Sequence, residues 1–480
     1  MFPSQACCTP SVQASCCEPA AKESCCGTTV AGTTESSTCG CAEGQPATPA
    51  AAGSDPDDPE ELPVAVIGAG PVGLAAAAHL LEYGQRPLIL EAGDEVAAGV
   101  GSWRHVPLFS PWRYSIDAAA RRLLEASGWQ QPDGERHPTG GEFRDEYLLP
   151  LSRVPALVGR IRTRARVLAV TRRATDKMKD AGREQAPFEL ILETPAGVER
   201  ILARAVIDAS GALGEHNPLG SAGVPAAGER EAADAIAYGI PNVLADPARY
   251  AGRRVLVVGA GHSAMNVLQD LVKIRESHPA TEIHWAVRRR TDEQLFGGGE
   301  NDGLPARAAL GKAVAALAAA GDVVLHHGVR VEALQRTPEG IVVLHGEGAI
   351  GPVDQVVAAT GFRPDLAMLR EVRLGLDPSV EAPTALAPLI DPNLHSCGTV
   401  PPHGERELAH PEPDFYIAGM KSYGRAPTFL MLTGYEQVRS ISAAMAGHRD
   451  AADRVELVLP ETGVCTVDLP DPAGKQLVAA

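Results

Sequence analysis

Hydrophobic and polar positions divide the chain into an apolar-poor beginning and a long body in which short apolar runs alternate with helical stretches. Residues 1–61 are rich in Cys, Pro, Ser, Thr, Ala and Gly and close on the acidic stretch Ser54-Asp55-Pro56-Asp57-Asp58-Pro59-Glu60-Glu61. Such a segment cannot bury enough surface to fold alone, and a disordered tail is expected. Order is predicted from Pro63, because Val64-Ala65-Val66-Ile67 is a continuous apolar run, the mark of a strand buried on both faces. Val255-Leu256-Val257-Val258 is a second run of the same type. Between them, Arg166 to Thr171, Phe188 to Glu193 and Val198 to Ile207 read as three strands parted by turns such as Pro195-Ala196-Gly197, an antiparallel meander. After the second run, a helix from about Ser263 to Glu276, a strand Glu282 to Val287 and a helix from about Pro305 to Ala320 favour a parallel sheet.

Each apolar run leads into a glycine turn. The first continues as Gly68-Ala69-Gly70-Pro71-Val72-Gly73, then an apolar helix from Leu74 to Leu81, then a strand from Arg86 to Leu90 that ends at Glu91. In this order the residues can cradle a dinucleotide: Gly68 permits the tight turn, Gly70 lets the backbone approach a pyrophosphate, and Gly73 lets helix and strand pack closely. Glu91 stands where an acid accepts hydrogen bonds from ribose hydroxyls. The second run continues as Gly259-Ala260-Gly261-His262-Ser263-Ala264, with alanine at the third glycine position, and its following strand ends in Arg288-Arg289-Arg290. A guanidinium grips a 2'-phosphate in bidentate fashion where a carboxylate would repel it, so this site is expected to prefer NADPH, with NADH the alternative; a solvated basic loop would read the same way. The acid-ended first turn suits the unphosphorylated ribose of FAD.

Bulk properties narrow the partners. At 480 residues the chain holds two or three domains on a prior of one per ~150 residues. A net charge of −17 argues against nucleic acid, since a negative surface repels phosphate backbones. No stretch approaches the ~18 apolar residues a membrane helix needs. The N-terminus shows neither a basic start nor an apolar core, so a cytoplasmic location with reduced thiols is expected. Eight of the ten cysteines fall in the tail: Cys7-Cys8, Cys16-Cys17 and Cys25-Cys26 recur every nine residues, then Cys39 and Cys41 follow. Adjacent thiolates can close on one soft metal or metalloid ion, and the spacing is not that of a zinc ribbon; a tail that is merely redox-reactive is the other reading. The body has only Cys397 and Cys465, far apart, so a built-in redox disulfide is not expected.

With two nucleotide turns in place, residues of roughly 62–445 resemble the two-dinucleotide-binding flavoproteins, and among them the flavin monooxygenase-like branch. Ala205-Val206-Ile207-Asp208-Ala209-Ser210-Gly211 and Val356-Val357-Ala358-Ala359-Thr360-Gly361-Phe362-Arg363-Pro364-Asp365 resemble the strand-turn pairs where such chains cross between their FAD and NADPH domains. Gly101-Ser102-Trp103 resembles the family's loop beside the flavin, and Asp414-Phe415-Tyr416-Ile417-Ala418-Gly419 its last strand towards the ring. One departure concerns oxygenation: the stretch Ala237 to Leu244 lacks the histidine of the family's phenylalanine-glycine-histidine segment. The tail, the stretch Trp103 to Tyr114 and the stretch Lys421 to Phe429 together resemble flavoproteins of bacterial arsenic-resistance clusters.

The resemblance implies an α/β fold with two Rossmann-type dinucleotide-binding domains, FAD and NAD(P)H, beside the meander. Boundaries are expected at 1–61 for the tail, 62–225 and 350–450 for the FAD domain, 226–349 for the NAD(P)H domain, and 451–480 for an extension. Gly68, Gly70, Pro71, Gly73 and Glu91 would hold FAD, and Gly259, Gly261, His262, Ser263, Arg288 and Arg289 the nicotinamide nucleotide. Trp103, Thr360, Gly361 and Gly419 would lie near the flavin ring, and Cys7, Cys8, Cys16, Cys17, Cys25 and Cys26 would take a soft ion. Three activities stay open: a monooxygenase-like oxidoreductase acting on a small molecule such as an arsenical, a reductase without oxygenation, and a thiol-rich metalloid-binding or sensing flavoprotein. No proton donor stands out; His105, Tyr114 and Tyr423 are equally packing or surface groups.

Overall fold

The computed structural model describes residues 61–291, 295–296, 305–346, 348–394, 400–426 and 429–457. The six paired tail cysteines, Cys39, Cys41, Cys397, Cys465, Pro427 and Thr428 lie outside the described residues.

Strand β1 (Val64–Ile67), helix α1 (Pro71–Glu82) and strand β2 (Pro87–Leu90) form the first strand-helix-strand unit. Strand β3 (Ile161–Arg162) follows, then a hairpin series of β4 (Arg166–Arg172), β5 (Phe188–Thr194) and β6 (Gly197–Ala203), then β7 (Ala205–Asp208). The second half runs β8 (Ile236–Tyr238), β9 (Arg254–Val258), α2 (His262–Ser277), β10 (Glu282–Ala286), α3 (Pro305–Ala319) and β11 (Val324–His326). It continues through β12 (Val331–Thr337), β13 (Gly340–His345), β14 (Gly348–Val353) and β15 (Gln355–Ala358), and the chain then supplies β16 (Phe415–Ile417) and α4 (Met431–Met445).

Two five-stranded parallel sheets result, ordered β16-β7-β1-β2-β3 and β11-β10-β9-β15-β8, with two three-stranded antiparallel sheets, β4-β5-β6 and β12-β13-β14. The fully apolar strands now have a physical reason. Val64 and Val66 face one core with Leu74 and Leu80 of α1, whereas Ala65 and Ile67 face another with Val170, Phe188 and Leu190 of the meander. In the second sheet Val255 and Val257 pack with Leu268 and Leu271 of α2, and Leu256 and Val258 with Val331, Ile341 and Val353 of the other meander. Each central strand is thus sandwiched between a helix and a meander, so both of its faces must be apolar.

One expectation needs correction. The stretch Val198 to Ile207 is two strands in two sheets: β6 is exposed or half-buried up to its buried last residue, Ala203, while β7 is buried throughout and pairs parallel with β1. A second meander, β12 to β14, is present besides the one expected. Strand β15 pairs with β8 and β9, and the chain returns to the first sheet with β16.

In both sheets the strand order reverses beside the central strand: the chain goes from β1 to β2 on one side and later to β7 on the other, and likewise from β9 to β10 and to β15. A crevice opens outside the carboxyl ends of the strands at such a reversal, and it is the usual place for a ligand in an α/β sheet. No helix among the described residues is long and apolar enough to cross a membrane.

Candidate functional site

At the first reversal, Gly68 has φ +97, and a Cβ there would stand 2.8 Å from the Ala209 carbonyl oxygen. The turn is therefore pressed against the residues that follow β7, and only glycine fits. A Cβ on Gly73 would lie 1.9 Å from the Gly68 oxygen, which fixes α1 tightly onto its strand. Gly70, the N-cap of α1, differs: a Cβ on it meets nothing within 4 Å. It makes no side-chain cap bond, and Pro71 occupies the first helical position. The amides of the first turn of α1 thus look into open space with their dipole ends forward, a geometry that suits an anion.

Glu91 leaves β2 beside this turn. Its Oε2 accepts a hydrogen bond from the Ala69 amide at 2.9 Å and its Oε1 one from the Gly93 amide at 2.8 Å. Two donors hold the carboxylate in place, and each oxygen keeps a lone pair for a hydroxyl.

The second turn repeats the plan. Gly259 has φ +133 and abuts Ala359, Gly261 caps α2 without a side-chain bond and faces open space, and Ala264 is fully buried. His262 and Gly261 are exposed, with the Phe109 ring 4.9 Å from the His262 ring. Arg288, Arg289 and Arg290 follow β10 as an exposed row, and the Arg289 carbonyl accepts from the Gly328 amide at 2.8 Å.

The two crossings between the sheets meet side by side. Asn217 joins them: its Nδ2 donates to the carbonyls of Thr360 and Phe362 at 3.2 Å each, and its backbone carbonyl accepts from Thr360 Oγ1 at 2.6 Å. Arg363 Nε then donates to Asn217 Oδ1 at 3.0 Å. Thr360 and Gly361, with φ +87 at the glycine, are therefore fixed in this clamp. Gly419 reaches the first turn from another direction: a Cβ there would lie 3.1 Å from Val72 Cγ2 of α1, and its amide donates to Gln437 Oε1 of α4 at 2.7 Å.

Trp103 lies flat against Gly140, where a Cβ would stand 2.5 Å from the indole, so the ring is half-buried packing on the wall of the first unit. His105 is held near α2: burial lowers its pKa, against Asp270 and a bond to the Pro241 backbone, which raise it. Tyr114 lies under the Arg113 guanidinium, 4.7 Å from its ring centroid. Tyr423 is buried edge-on to Phe429, and that burial pushes its hydroxyl well above the usual phenol range.

Two buried charge clusters escaped sequence reasoning. Lys421, 1% exposed, donates to Asp208 Oδ2 at 2.6 Å and to Ser210 Oγ at 3.1 Å, so it ties the turn after β16 to the turn after β7. Glu412 takes Arg172 at 2.9 Å and Arg183 at 2.6 Å; burial pushes its carboxyl up, but the Arg183 and Arg172 guanidiniums together hold it below the usual range. The partners lie more than two hundred residues apart in both clusters, beyond the reach of local pattern.

The residues present fit two dinucleotides. Side chains on Gly70 or Gly261 would fill the space before two helix N-termini, one flanked by a pinned carboxylate and the other by a row of guanidiniums. This is the architecture of a two-nucleotide oxidoreductase. Residues 62–384 match the family model of the pyridine nucleotide-disulphide oxidoreductases, and the chain belongs to that family, whose flavoproteins use FAD and NAD(P)H. A ferredoxin–NADP reductase of Salinispora arenicola (strain CNS-205) is 32% identical over 182 residues, 38% of this chain and 48% of the relative. The match therefore spans about half the length of that curated relative. Among solved structures, the bacillithiol disulfide reductase of Bacillus cereus superposes with a TM-score of 0.61 at 19% identity, over 80% of this chain and 99% of its own. The cadaverine monooxygenase of desferrioxamine biosynthesis from Erwinia amylovora, solved with FAD bound, gives 0.56 at 14% identity, over 84% and 98%. Identities this low establish a shared fold.

Proposed function

We propose that this chain is an FAD-dependent oxidoreductase that takes hydride from NADPH, or less readily NADH, and passes the electrons to oxygen or a small acceptor. The observation that carries the reading is the pairing of two open glycine turns, each before an uncapped helix, with opposite charges at the ends of their second strands. Gly68, Gly70, Pro71 and Gly73 bring the backbone against the FAD pyrophosphate, and Glu91 accepts from its ribose hydroxyls. Gly259, Gly261, His262 and Ser263 do the same for NADPH, and Arg288 and Arg289 grip the 2'-phosphate. Thr360, Gly361, Gly419 and Trp103 belong to the walls that shape the flavin side. A bound flavin supplies the redox step, accepting hydride from a nicotinamide and handing electrons onward. The protein's share is orientation and exclusion of water.

The finer reading is a monooxygenase-like outcome with a thiol-seeking substrate, such as a trivalent arsenical delivered by the cysteine pairs of residues 7–26. Purified protein should be yellow, oxidise NADPH in preference to NADH, and consume oxygen faster when arsenite is added. Arsenite-independent release of peroxide would argue against the arsenical. Anaerobic NADPH oxidation sustained by an added small disulfide would favour a reductase. Loss of the arsenite response on removal of residues 1–60, with NADPH oxidation kept, would make the tail a delivery arm.

A further inference from the structure

The two nucleotide turns carry different residues at matching places, and the differences are coupled. Strand register sets Val66 opposite Ile89 in the first sheet and Val257 opposite Trp285 in the second. Val66 and Val257 each stand two residues before their turn glycine, so Trp285 holds in β10 the place that Ile89 holds in β2. The third position of the turn is Gly73 in one and Ala264 in the other.

In the first turn that position has no room, since a Cβ on Gly73 would lie 1.9 Å from the Gly68 carbonyl oxygen. Ala264 carries just such a methyl, so the Gly259 carbonyl cannot sit over α2 as the Gly68 carbonyl sits over α1. The backbone of the two turns differs as well. Its φ is +133 at Gly259 against +97 at Gly68, and a Cβ on Gly259 would stand 2.2 Å from the Ala359 oxygen, against 2.8 Å between Gly68 and the Ala209 oxygen. The Gly259 carbonyl meets a donor: Trp285 Nε1 donates to its oxygen at 2.6 Å. The indole is fully buried, with the Phe296 ring edge-on at 6.0 Å. At the matching place in the first sheet the isoleucine has no such donor.

We infer that Trp285 is a positioning residue for the second turn, and that its indole N–H compensates for the methyl of Ala264 by holding the Gly259 carbonyl in its altered direction. The inference rests on the assignment of this turn to NAD(P)H. Trp285 is fully buried and acts through the peptide that opens the cradle, whose orientation it sets.

The test is a double-mutant cycle on the FAD-loaded enzyme, with FAD content and Tm followed beside steady-state kinetics. W285F keeps an aromatic ring but removes the donor; it should raise the KM for NADPH about three- to tenfold, the worth of one neutral hydrogen bond, with kcat and FAD content unchanged. A264G should relieve that loss, so that the A264G/W285F enzyme lies within about twofold of the native KM. A merely structural role would lower Tm without a selective change in KM and without rescue by A264G. Should W285F itself lose FAD or stability, recovery of both stability and KM in A264G/W285F supports the pairing, and recovery of neither overturns it. An unchanged KM in W285F also overturns it. G261V separates the underlying assignment: it should abolish NADPH binding by filling the space before α2, and a native KM in G261V would show that the nucleotide lies elsewhere.

Discussion

The first and second parallel sheets are built alike, each with a central strand buried between a helix and an antiparallel meander and a glycine turn at the reversal of strand order. They differ at the end of the second strand. In one, Glu91 is tied down by the amides of Ala69 and Gly93; in the other, Arg288 to Arg290 stand exposed. Shape is therefore the repeated part of the molecule, and charge at one strand end is the difference on which the proposed assignment of the two ligands rests.

The sharpest way to break the comparison is G73A. The added methyl would fall 1.9 Å from the Gly68 oxygen, and the neighbour is backbone, which cannot yield as a flexible side chain would. The first turn should deform and the protein should purify largely without FAD, a loss read directly from its visible absorbance. The same residue type is native at Ala264, so full FAD retention in G73A would mean the two turns are less distinct than their geometry shows.

The replacement of Arg288 and Arg289 by Ala ranks next. If they hold the 2'-phosphate through charge-assisted bonds, the ratio of kcat/KM for NADPH to that for NADH should fall roughly ten- to hundredfold, with NADH kinetics little changed. Higher ionic strength should produce part of the same effect in the native protein, because exposed charges are screened. An unchanged ratio would leave the arginine row as a solvated loop.

E91Q should have a smaller effect on the first site. Both oxygens of Glu91 accept from backbone amides, so a glutamine must turn its NH2 towards one of those donors. FAD affinity should drop about tenfold by titration of the stripped protein, and NADPH affinity should not move. Equal losses at both sites would mean that Glu91 supports the fold at large.

Much of this contrast was legible before any coordinates. Continuous apolar runs such as Val64 to Ile67 and Val255 to Val258 announce strands covered on both faces, and the glycines at fixed offsets follow from the close approaches they permit. The boundary inside Val198 to Ile207 was not legible as a break, because β6 and β7 are separated by Arg204 alone and both are rich in β-branched and aliphatic residues. The second meander is obscured in the sequence by its glycines and charged positions; its strands are recognised once Leu334, Ile341 and Val353 are seen to share a core with Leu256. Lys421 gave no signal, since a lysine is ordinarily exposed and Asp208 lies far away in sequence. Trp285 carries no signal of its own in the sequence; only strand register and its indole N–H bond reveal a partner in the turn.

The smallest expected effect concerns pH and falls on the second sheet. His284 Nδ1 and His326 Nε2 lie 3.0 Å apart with the rings stacked. Burial lowers the pKa of both; for His284 Glu282 opposes this and Arg254 adds to it, and for His326 the neighbouring His284 and His345 lower it further. In the unfolded chain histidines titrate near ~6.5, so below that value the unfolded state binds more protons than the folded one. Stability from this pair is thus whole above ~6.5 and is lost as pH falls from there through the folded values. Tm should decline between pH 7 and 5 and hold steady from 7 to 8. His326→Gln, which cannot be protonated, should decline less steeply by a few degrees at most. Parallel curves for the two proteins would transfer the pH response to other buried histidines such as His403 and His410, the latter lowered by burial to about 4.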